Sequence, residues 1–230
     1  MLYVVPTPIG NLGDVTTRSI EVLTSVDYIL AEDSRVTRKL LKHLQIDQKV
    51  VSFHAHNEHH KLSQILEDLK ADRVLALVSD AGTPGISDPG FLLVRACHEE
   101  NITVSTLPGA SALIPALVNS GLPINRFHFE GFLPAKKGKQ TRLKALATLP
   151  NTFVLYESPH RIVKTVTQLI EHCGPDRMAC LNRELSKLHE EVKQSTLASL
   201  LEDLQARPSI KGEIVLVVAG RGGRRGNAIA

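Results

Sequence analysis

The chain has 230 residues, of which 43% are hydrophobic and 22% are charged, and its formal net charge is +3. This composition predicts a folded globular protein with an ample core, and the mild basic excess excludes a polybasic arm of the histone type. Cys97, Cys173 and Cys180 are odd in number and far apart, which argues against a disulfide framework or a structural zinc site. No stretch approaches the ~18 apolar residues of a membrane span, so we expect a cytoplasmic protein without a membrane anchor.

Strands and helices alternate along the first half of the chain. Apolar runs with the length of buried strands are followed by stretches with helical spacing, which predicts a mostly parallel sheet covered by helices on both faces. The predicted strands are 2–5, 28–31, 50–53, 74–78 and 103–107, and the predicted helices are 16–26, 37–44, 60–70, 91–99 and a last one that opens at 108–112 and runs to about 118.

Turn residues accumulate at 120–123, and we place a domain boundary there, which divides the chain into an α/β domain at 1–119 and a second one at 120–230. In the second domain the predicted strands are 127–132, 152–156, 178–181 and 214–218, and the predicted helices are 141–149, 161–172 and 197–207. The glycine- and arginine-rich end at 220–226 is expected to be flexible and solvated.

The loop at 79–90 is the most informative segment of the chain. It reads Ser-Asp-Ala-Gly-Thr-Pro-Gly-Ile-Ser-Asp-Pro-Gly and follows the apolar strand predicted at 74–78. Three glycines and two prolines in twelve residues cannot continue a strand or a helix, and the small side chains leave backbone groups open to a bound molecule. Because ligands of open α/β sheets collect where strands end, this loop predicts a ligand site. An ordinary strand-to-helix connection is the alternative.

Several common motifs are missing from the chain. It has no Gly-x-Gly-x-x-Gly after a strand, no Walker lysine loop, no Gly-x-Ser-x-Gly and no His-Glu-x-x-His, which argues against a Rossmann dehydrogenase, a P-loop nucleotidase and a common hydrolase. Polar loops instead follow six of the predicted strands: 7–11, 32–35, 54–58, 79–84, 156–161 and 183–187.

These loops carry a resemblance to the tetrapyrrole-methylase superfamily and, within it, to the branch that methylates ribosomal RNA. The matching segments are Pro-Thr-Pro-Ile-Gly-Asn-Leu-Gly-Asp at 6–14, Glu-Asp-Ser-Arg at 32–35, the loop 79–90, Pro-Gly-Ala-Ser-Ala at 108–112, Phe-Glu-Gly-Phe-Leu-Pro at 129–134, Tyr-Glu-Ser-Pro-His-Arg at 156–161, and Arg-Glu-Leu-Ser-Lys with His-Glu-Glu at 183–191. The resemblance runs in order from Val4 to about Ala219.

The resemblance implies a two-domain α/β fold, with a mostly parallel N-terminal sheet, a mixed C-terminal sheet and S-adenosylmethionine in the cleft between the domains. It also implies 2′-O-methylation of a cytidine ribose in 16S ribosomal RNA, within the small ribosomal subunit, by a homodimer. The residues that match the cofactor contacts of relatives are Pro8, Asp80, Ala81, Gly82, Thr83, Ser111, Ala112 and Tyr156. A carboxylate and a close-fitting backbone suit the amino and ribose groups of this cofactor.

Methylation of a ribose hydroxyl requires the removal of a proton as the oxygen attacks. Placement of the two reactants alone supplies up to ~7 to 11 kcal/mol, so a base has an assisting role. The candidate bases are Glu32, Asp33, Glu184 and Lys187. A lysine or a carboxylate acts at neutral pH when burial shifts its pKa. The alternative for each is a structural ion pair, such as Glu184 with Arg183 or Lys187.

Clustered positive charge predicts the RNA contacts. Lys136, Lys137 and Arg142 belong to a basic run after the Gly-Phe-Leu-Pro loop, and phosphates are its expected partners. A solvated helix start is the alternative for this run. Three further residues, Arg35, His160 and Arg161, lie in loops at strand ends and are candidates for holding the target nucleotide.

The histidines at 54, 56, 59 and 60 fit no standard zinc spacing, so no metal site is expected. Two other functions stay open. One is methylation of a tetrapyrrole or another non-RNA acceptor on the same fold. The other is a non-catalytic RNA-binding or ribosome-assembly module that retains the cofactor fold.

Overall fold

The computed structural model describes residues 1–222 of the chain. The chain folds into two compact units, the first at Met1–Ser111 and the second beginning at Ala112. Of the glycine- and arginine-rich end predicted to be flexible, residues 223–226 lie outside the described part. Within that part, no helix is both long enough and apolar enough to span a bilayer.

The sheet of the first unit is parallel throughout, as the alternation of strands and helices predicted. Its strands are β1 (Leu2–Val4), β2 (Tyr28–Ala31), β3 (Val50–Ser52), β4 (Leu75–Val78) and β5 (Val104–Thr106), in the order β3-β2-β4-β1-β5. Every residue of β2 and β4 is buried, because strands inside a parallel sheet are covered on both faces.

The helices of the first unit cover both faces of this sheet. They are α1 (Thr17–Ser25), α2 (Ser34–His43), α3 (Glu58–Lys70) and α4 (Phe91–Glu99), and a short 3-10 turn spans Leu12–Asp14. One apolar cluster joins the sheet to residues of α3 and α4, and another joins it to residues of α1 and α2. The side chains of Thr16 and Asp33 cap α1 and α2 by accepting hydrogen bonds from backbone N–H groups of the first turn.

The second unit contains a mixed sheet, which confirms the expectation from the resemblance. Its elements are α5 (Leu113–Ser120), β6 (Phe127–Phe132), α6 (Lys139–Thr148), β7 (Thr152–Glu157), α7 (Ile162–Cys173), β8 (Met178–Arg183), β9 (Glu191–Thr196), α8 (Leu197–Ala206) and β10 (Ile214–Val218). The strand order is β6-β7-β10-β8-β9, with β6 parallel to β7 and the other neighbours antiparallel.

Helix α5 packs against β8, β9 and β10, so it belongs to the second unit. The Nε2 atom of Gln194 in β9 donates to the carbonyl oxygen of Ser120 at 2.7 Å and ties the end of α5 to that sheet. The boundary drawn from the sequence, between 119 and 120, had assigned this helix to the first domain. The difference arises because turn residues mark the end of α5, whereas the packing of its apolar face decides which sheet it joins.

Candidate functional site

Loops from neighbouring strands are joined at the carboxyl edge of the first sheet. Thr7, after β1, and Gly82, after β4, exchange two backbone hydrogen bonds of 2.9 and 2.8 Å. The Thr7 hydroxyl also donates to the carbonyl oxygen of Ser79 at 3.0 Å. Because all strands of this sheet run in the same direction, their loops leave from one edge and can form a single site.

Glycines shape the loop at 79–90. Gly82, Gly85 and Gly90 all have positive φ, at 81°, 85° and 137°. At Gly90 a Cβ atom would lie only 2.9 Å from Cδ2 of Leu77, so the start of α4 is seated directly against β4. The Thr83 hydroxyl donates to the carbonyl oxygen of Ala110 at 3.1 Å and joins this loop to the one after β5.

The predicted cofactor residues fall into two groups. Those at the joined loops of the first unit are Pro8, Asp80, Ala81, Gly82, Thr83 and, after β5, Ser111. Asp80 and Ala81 are exposed, which leaves a carboxylate and a backbone segment accessible to a ligand. Ala112 and Tyr156 belong to the second unit, where Ala112 precedes α5 and Tyr156 lies in β7. The ring of Tyr156 packs edge-on against Phe129 and Phe132, with centroid distances of 5.1 and 5.6 Å.

A cluster of carboxylates lies among these loops. The backbone N–H of Asp33 donates to Oδ1 of Asp80 at 2.9 Å, which connects the loops after β2 and β4. Burial, and then the negative charge of Asp80, raise the pKa of Glu32. Burial, followed by the charge of Glu32, raises the pKa of Asp88 to about 6. Asp88 also forms a hydrogen bond with Ser79, at the other end of the same loop.

Asp33 has different surroundings from Glu32. Its carboxylate caps α2 and forms an ion pair with Arg35, with 2.6 Å between Oδ2 and Nη2. These hydrogen bonds lower the pKa of Asp33 to about 2. Arg35 is one of the predicted RNA contacts, and its side chain is 84% exposed despite the pairing. Among the three candidate carboxylates, Asp33, Glu184 and Glu32, only Glu32 therefore has a raised pKa.

Glu184 and Lys187 form an ion pair in the turn between β8 and β9. The Lys187 Nζ atom lies 2.8 Å from Oε1 of Glu184 and 3.1 Å from Oε2 of Glu213. The hydrogen bond from Lys187 lowers the pKa of Glu184. Burial opposes the charge on Lys187, but its hydrogen bonds to the two carboxylates outweigh burial and raise its pKa. A Cβ atom at Gly212 would overlap the Glu184 side chain, so the turn is closely packed around this pair.

The predicted RNA contacts in the second unit differ in their pairing, and Arg142 is both paired and 56% exposed. Lys136, Lys137 and His160 are exposed. Arg142 is paired with the buried carboxylate of Glu130, at 2.6 Å between Nε and Oε1. Arg161 donates from Nη2 to the carbonyl oxygen of Leu133 at 2.8 Å, so it connects the loop after β7 to the loop after β6.

A buried polar network anchors the loop that follows β7. The Glu157 carboxylate accepts hydrogen bonds from the Thr165 hydroxyl at 2.6 Å and from the backbone N–H of Ser158 at 2.8 Å, and it lies 3.4 Å from Nε of Arg161. Lys139, only 6% exposed, donates from Nζ to the Thr165 hydroxyl at 3.1 Å. Burial lowers the pKa of Lys139. Lys139 lies within the basic run, and its burial shows that this run is not uniformly available to phosphates.

The histidine-rich segment is organised by hydrogen bonds. Asn57 Oδ1 accepts from the backbone N–H of His54 at 2.8 Å, and its Nδ2 lies 3.2 Å from Nε2 of His54. Among residues 1–222, no group of three or more His, Cys, Asp or Glu side chains is arranged to hold a metal ion.

Comparison with known proteins identifies relatives of nearly the whole chain. The family described as Tetrapyrrole (Corrin/Porphyrin) Methylases matches residues 1–201. The chain is 50% identical to the "Ribosomal RNA small subunit methyltransferase I" of Synechocystis, over 96% of this chain and 79% of the relative. It is 47% identical to the protein of the same name from Hydrogenobaculum, over 95% of each chain.

Solved structures share the fold at low sequence identity. Diphthine synthase superimposes with a TM-score of 0.73 at 17% identity, over 97% of this chain and 91% of that chain. Uroporphyrin-III C-methyltransferase from Thermus thermophilus, solved with S-adenyl homocysteine, superimposes with a TM-score of 0.62 at 17% identity, over 94% and 96% of the two chains. These structures confirm the α/β fold of the superfamily.

Proposed function

The chain belongs to the tetrapyrrole methylase family, and on this premise we propose that it methylates the 2′-hydroxyl of a cytidine ribose in 16S ribosomal RNA, with S-adenosylmethionine as the methyl donor. The observation that carries the proposal is an identity of 47 to 50%, along 95% or more of the chain, to proteins named for methylation of small-subunit ribosomal RNA. Two solved structures named for tetrapyrrole chemistry, cobalt precorrin-4 methyltransferase and uroporphyrin-III-C-methyltransferase, match at only 16 and 20% identity.

The chemistry of the joined loops fits this cofactor. Asp80 presents an exposed carboxylate that can accept hydrogen bonds from amino or ribose groups. The backbone of Ala81 and Gly82 lies beside it, and positive φ at Gly82 allows the chain to turn closely around a ligand. Thr83 lies in the same loop, and Pro8 and Ser111 belong to the two loops that hydrogen bonds join to it. We assign these residues to cofactor binding, together with Ala112 and Tyr156 of the second unit.

When bound by these residues, S-adenosylmethionine would supply an electrophilic methyl group to the 2′-oxygen, with its sulfur as the leaving group. The residues of this chain have two tasks: to hold the ribose in line with that methyl group and to receive the hydroxyl proton. We assign the second task to Glu32. Its raised pKa makes its carboxylate a stronger proton acceptor than an ordinary glutamate. The ion-paired states of Asp33, Glu184 and Lys187 favour structural roles.

Exposed basic side chains are the proposed contacts to the RNA substrate. Lys136, Lys137 and His160 are exposed cations or potential cations suited to phosphate binding, and Arg35 is exposed beside the loop after β2. We propose that the substrate is 16S ribosomal RNA within the small ribosomal subunit, so that the protein acts in the cytoplasm. Arg142 and Arg161 contribute to RNA binding chiefly by shaping the loops that carry the exposed residues.

We also propose that the protein is a homodimer. Helix α5 leaves Ile114 and Val118, one turn apart, 53% and 63% exposed, and such apolar side chains are typical of a surface that a second copy covers. Light scattering should give twice the mass of one chain. A Val118→Lys variant should give a smaller mass than the wild type, and a monomeric wild type would contradict this part of the proposal.

Transfer of a labelled methyl group tests the main proposal. The protein is incubated with methyl-labelled S-adenosylmethionine and, in separate reactions, with unmodified 16S ribosomal RNA, small ribosomal subunits or a porphyrinogen. We expect label in the RNA of one or both ribosomal substrates, at a cytidine 2′-oxygen located by nuclease mapping. Label in the porphyrinogen would support the tetrapyrrole alternative. RNA binding without transfer, by protein that binds the cofactor, would support the non-catalytic alternative.

A further inference from the structure

A cavity of about 330 Å³ lies in the first unit, between the loop after β1 and helix α2. Its volume is within the range of small-molecule sites, which begins at about 300 Å³. Asp80 borders the cavity, which therefore adjoins the loop we assign to the cofactor. None of the residues matched to relatives' cofactor contacts lies on α2, so the α2 side of the cavity is left without a role by the proposed function.

A buried hydroxyl group beside this cavity has no partner. Thr37, in the first turns of α2, is 4% exposed and lines the cavity, and its Oγ1 atom makes no hydrogen bond to any residue in 1–222. Threonine hydroxyls in helices commonly donate to a carbonyl of the preceding turn, as the Thr24 hydroxyl does to the oxygen of Ile20 at 2.8 Å. The Oγ1 atom is itself covered, and rotation about χ1 of Thr37 would bring it to the cavity, where a polar ligand atom would supply the partner that it lacks.

Apolar side chains are exposed on both sides of the same cavity. Leu12, from the 3-10 turn, is 44% exposed and Val36, from α2, is 38% exposed. Together with Leu40 they form walls suited to the faces of a flat ring. Lys39 and His43, one helical turn apart, also line the cavity and are exposed. Their positions suit a phosphate or sugar group that remains outside while the ring is inside.

We propose that this cavity receives the base of the target cytidine, turned out of its stack, between Leu12 and Val36, with Thr37 Oγ1 hydrogen-bonded to the edge of the base. The inference rests on the proposed function, which supplies an RNA substrate. Enzymes that act on one nucleotide commonly extrude it into a pocket and read its edge there. The Asp80 carboxylate can accept from the cytosine amino group but would repel the carbonyl oxygen that uracil has in its place. The base pocket and the cofactor loop thus share Asp80.

Thr37→Val tests the hydrogen bond, because valine keeps the shape of threonine and removes only the hydroxyl. We expect kcat/KM for RNA to fall about 10-fold, which corresponds to one lost hydrogen bond, while the affinity for S-adenosylmethionine and the folded stability are retained. Thr24→Val is the matched control and should leave kcat/KM unchanged. Val36→Trp should fill the cavity and lower kcat/KM at least as strongly, again with unchanged cofactor affinity.

Direct binding of cytidine 5′-monophosphate separates this inference from the proposed function. In amide NMR spectra, the ligand at millimolar concentration should shift signals of residues 36–43 and of the loop 7–12 in the wild type. The shifts should be weaker with uridine 5′-monophosphate and absent in Val36→Trp. A wild type that methylates RNA while Thr37→Val and Val36→Trp retain full kcat/KM would overturn the inference alone. Absence of these shifts, or shifts confined to other residues, would overturn it as well, and a wild type without RNA methylation would instead overturn the proposed function.

Discussion

Two adjacent carboxylates after β2, Glu32 and Asp33, have opposite electrostatic surroundings. Asp33 faces Arg35 and the N-terminus of α2, both of which favour its ionised form. Glu32 is partly buried and near Asp80, and both conditions favour its protonated form. Neighbours in sequence thus differ in the free energy of ionisation, because their side chains leave the backbone toward different environments.

Replacement of Glu32 tests its assignment as the proton acceptor. Glu32→Gln should lower kcat by about 100-fold or more while the affinity for S-adenosylmethionine is unchanged. A base acts only when ionised, so wild-type kcat should fall as the pH is lowered through the pKa of Glu32, which burial and Asp80 hold above its ordinary 4.5. Turnover is measured between pH 4 and 9, and the acid limb should be missing in Glu32→Gln.

The control for this measurement is Asp33→Asn, which removes the neighbouring carboxylate. Because asparagine keeps the side-chain oxygen that caps α2, the variant should fold normally and keep the acid limb of the pH profile. Wild-type turnover by Glu32→Gln across the whole pH range would refute the assignment.

At the scale of the elements, the start of α4 depends on Gly90. Its φ of 137° is unfavourable for any residue with a Cβ atom, and the space that a Cβ would need is occupied by Leu77. Gly85, in the same loop, also has positive φ, at 85°, but a Cβ there would meet nothing within 4 Å. Comparing a substitution at Gly90 with one at Gly85 therefore distinguishes the cost of steric overlap from the cost of backbone strain.

Alanine substitutions at these glycines should differ in their cost. Gly90→Ala should lower the free energy of unfolding by about 2 to 4 kcal/mol, since it adds steric overlap to backbone strain. Gly85→Ala should cost only about 1 kcal/mol, from backbone strain alone. Urea unfolding followed by circular dichroism gives both values, and equal losses would show that overlap with Leu77 is not the cause.

The pairing of β9 with the rest of its sheet is supported by an ion-pair network. Arg207, at the end of α8, donates to Glu191 in β9 at 2.9 Å and to Asp203 in α8 at 3.1 Å. The hydrogen bond from Arg207 lowers the pKa of Glu191 to about 2, although burial acts in the opposite direction. A hydrogen bond from Arg183 also lowers this pKa. A carboxylate whose pKa is lowered by folding stabilises the fold above its unfolded pKa, and this contribution disappears as the pH falls through the folded value.

Arg207→Met should therefore destabilise the protein in a pH-dependent way. The loss in unfolding free energy should be about 1 to 2 kcal/mol at pH 7 and should shrink as the pH falls from 4.5 toward 2. Arg95→Met removes the exposed pair of Arg95 with Glu99 and should cost less than about 0.5 kcal/mol. Thermal unfolding at several pH values measures both, and a loss for Arg207→Met that is independent of pH would contradict the electrostatic explanation.

At the scale of the whole molecule, occupation of the cofactor site should raise stability. S-adenosylmethionine at 100 times its Kd should add about 2.7 kcal/mol to the free energy of unfolding of the wild type. Asp80→Ala should lose most of this gain at the same ligand concentration, because its carboxylate is the proposed partner of the ligand. Asp47→Ala, which removes an exposed carboxylate outside the joined loops, should keep it. Thermal shift assays give the comparison, and an undiminished gain in Asp80→Ala would remove Asp80 from the cofactor site.

Strand β9 shows where pattern reading from the sequence was limited. The segment Glu-Val-Lys-Gln-Ser-Thr at 191–196 contains one large apolar residue, so its strand was not predicted. It forms an edge strand whose stability comes from pairing with β8 and from ion pairs to α8. The strand β4, in contrast, can be recognised in the sequence, because burial on both faces requires apolar residues at every position.

Residue type over a few neighbouring positions was enough to predict the alternation of strands and helices and the polar loops at strand ends, because burial and turn formation depend on such local patterns. Which charged residues have partners, in contrast, depends on the folded chain. Lys139 and Arg142, from one basic run, reach Thr165 and Glu130, and Arg161 reaches Leu133 across 28 positions. The residues of each pair are far apart in the sequence and come within hydrogen-bond distance only when the sheet forms. The cavity beside Thr37 arises in the same way, from a helix and a loop that meet at the carboxyl edge of the first sheet.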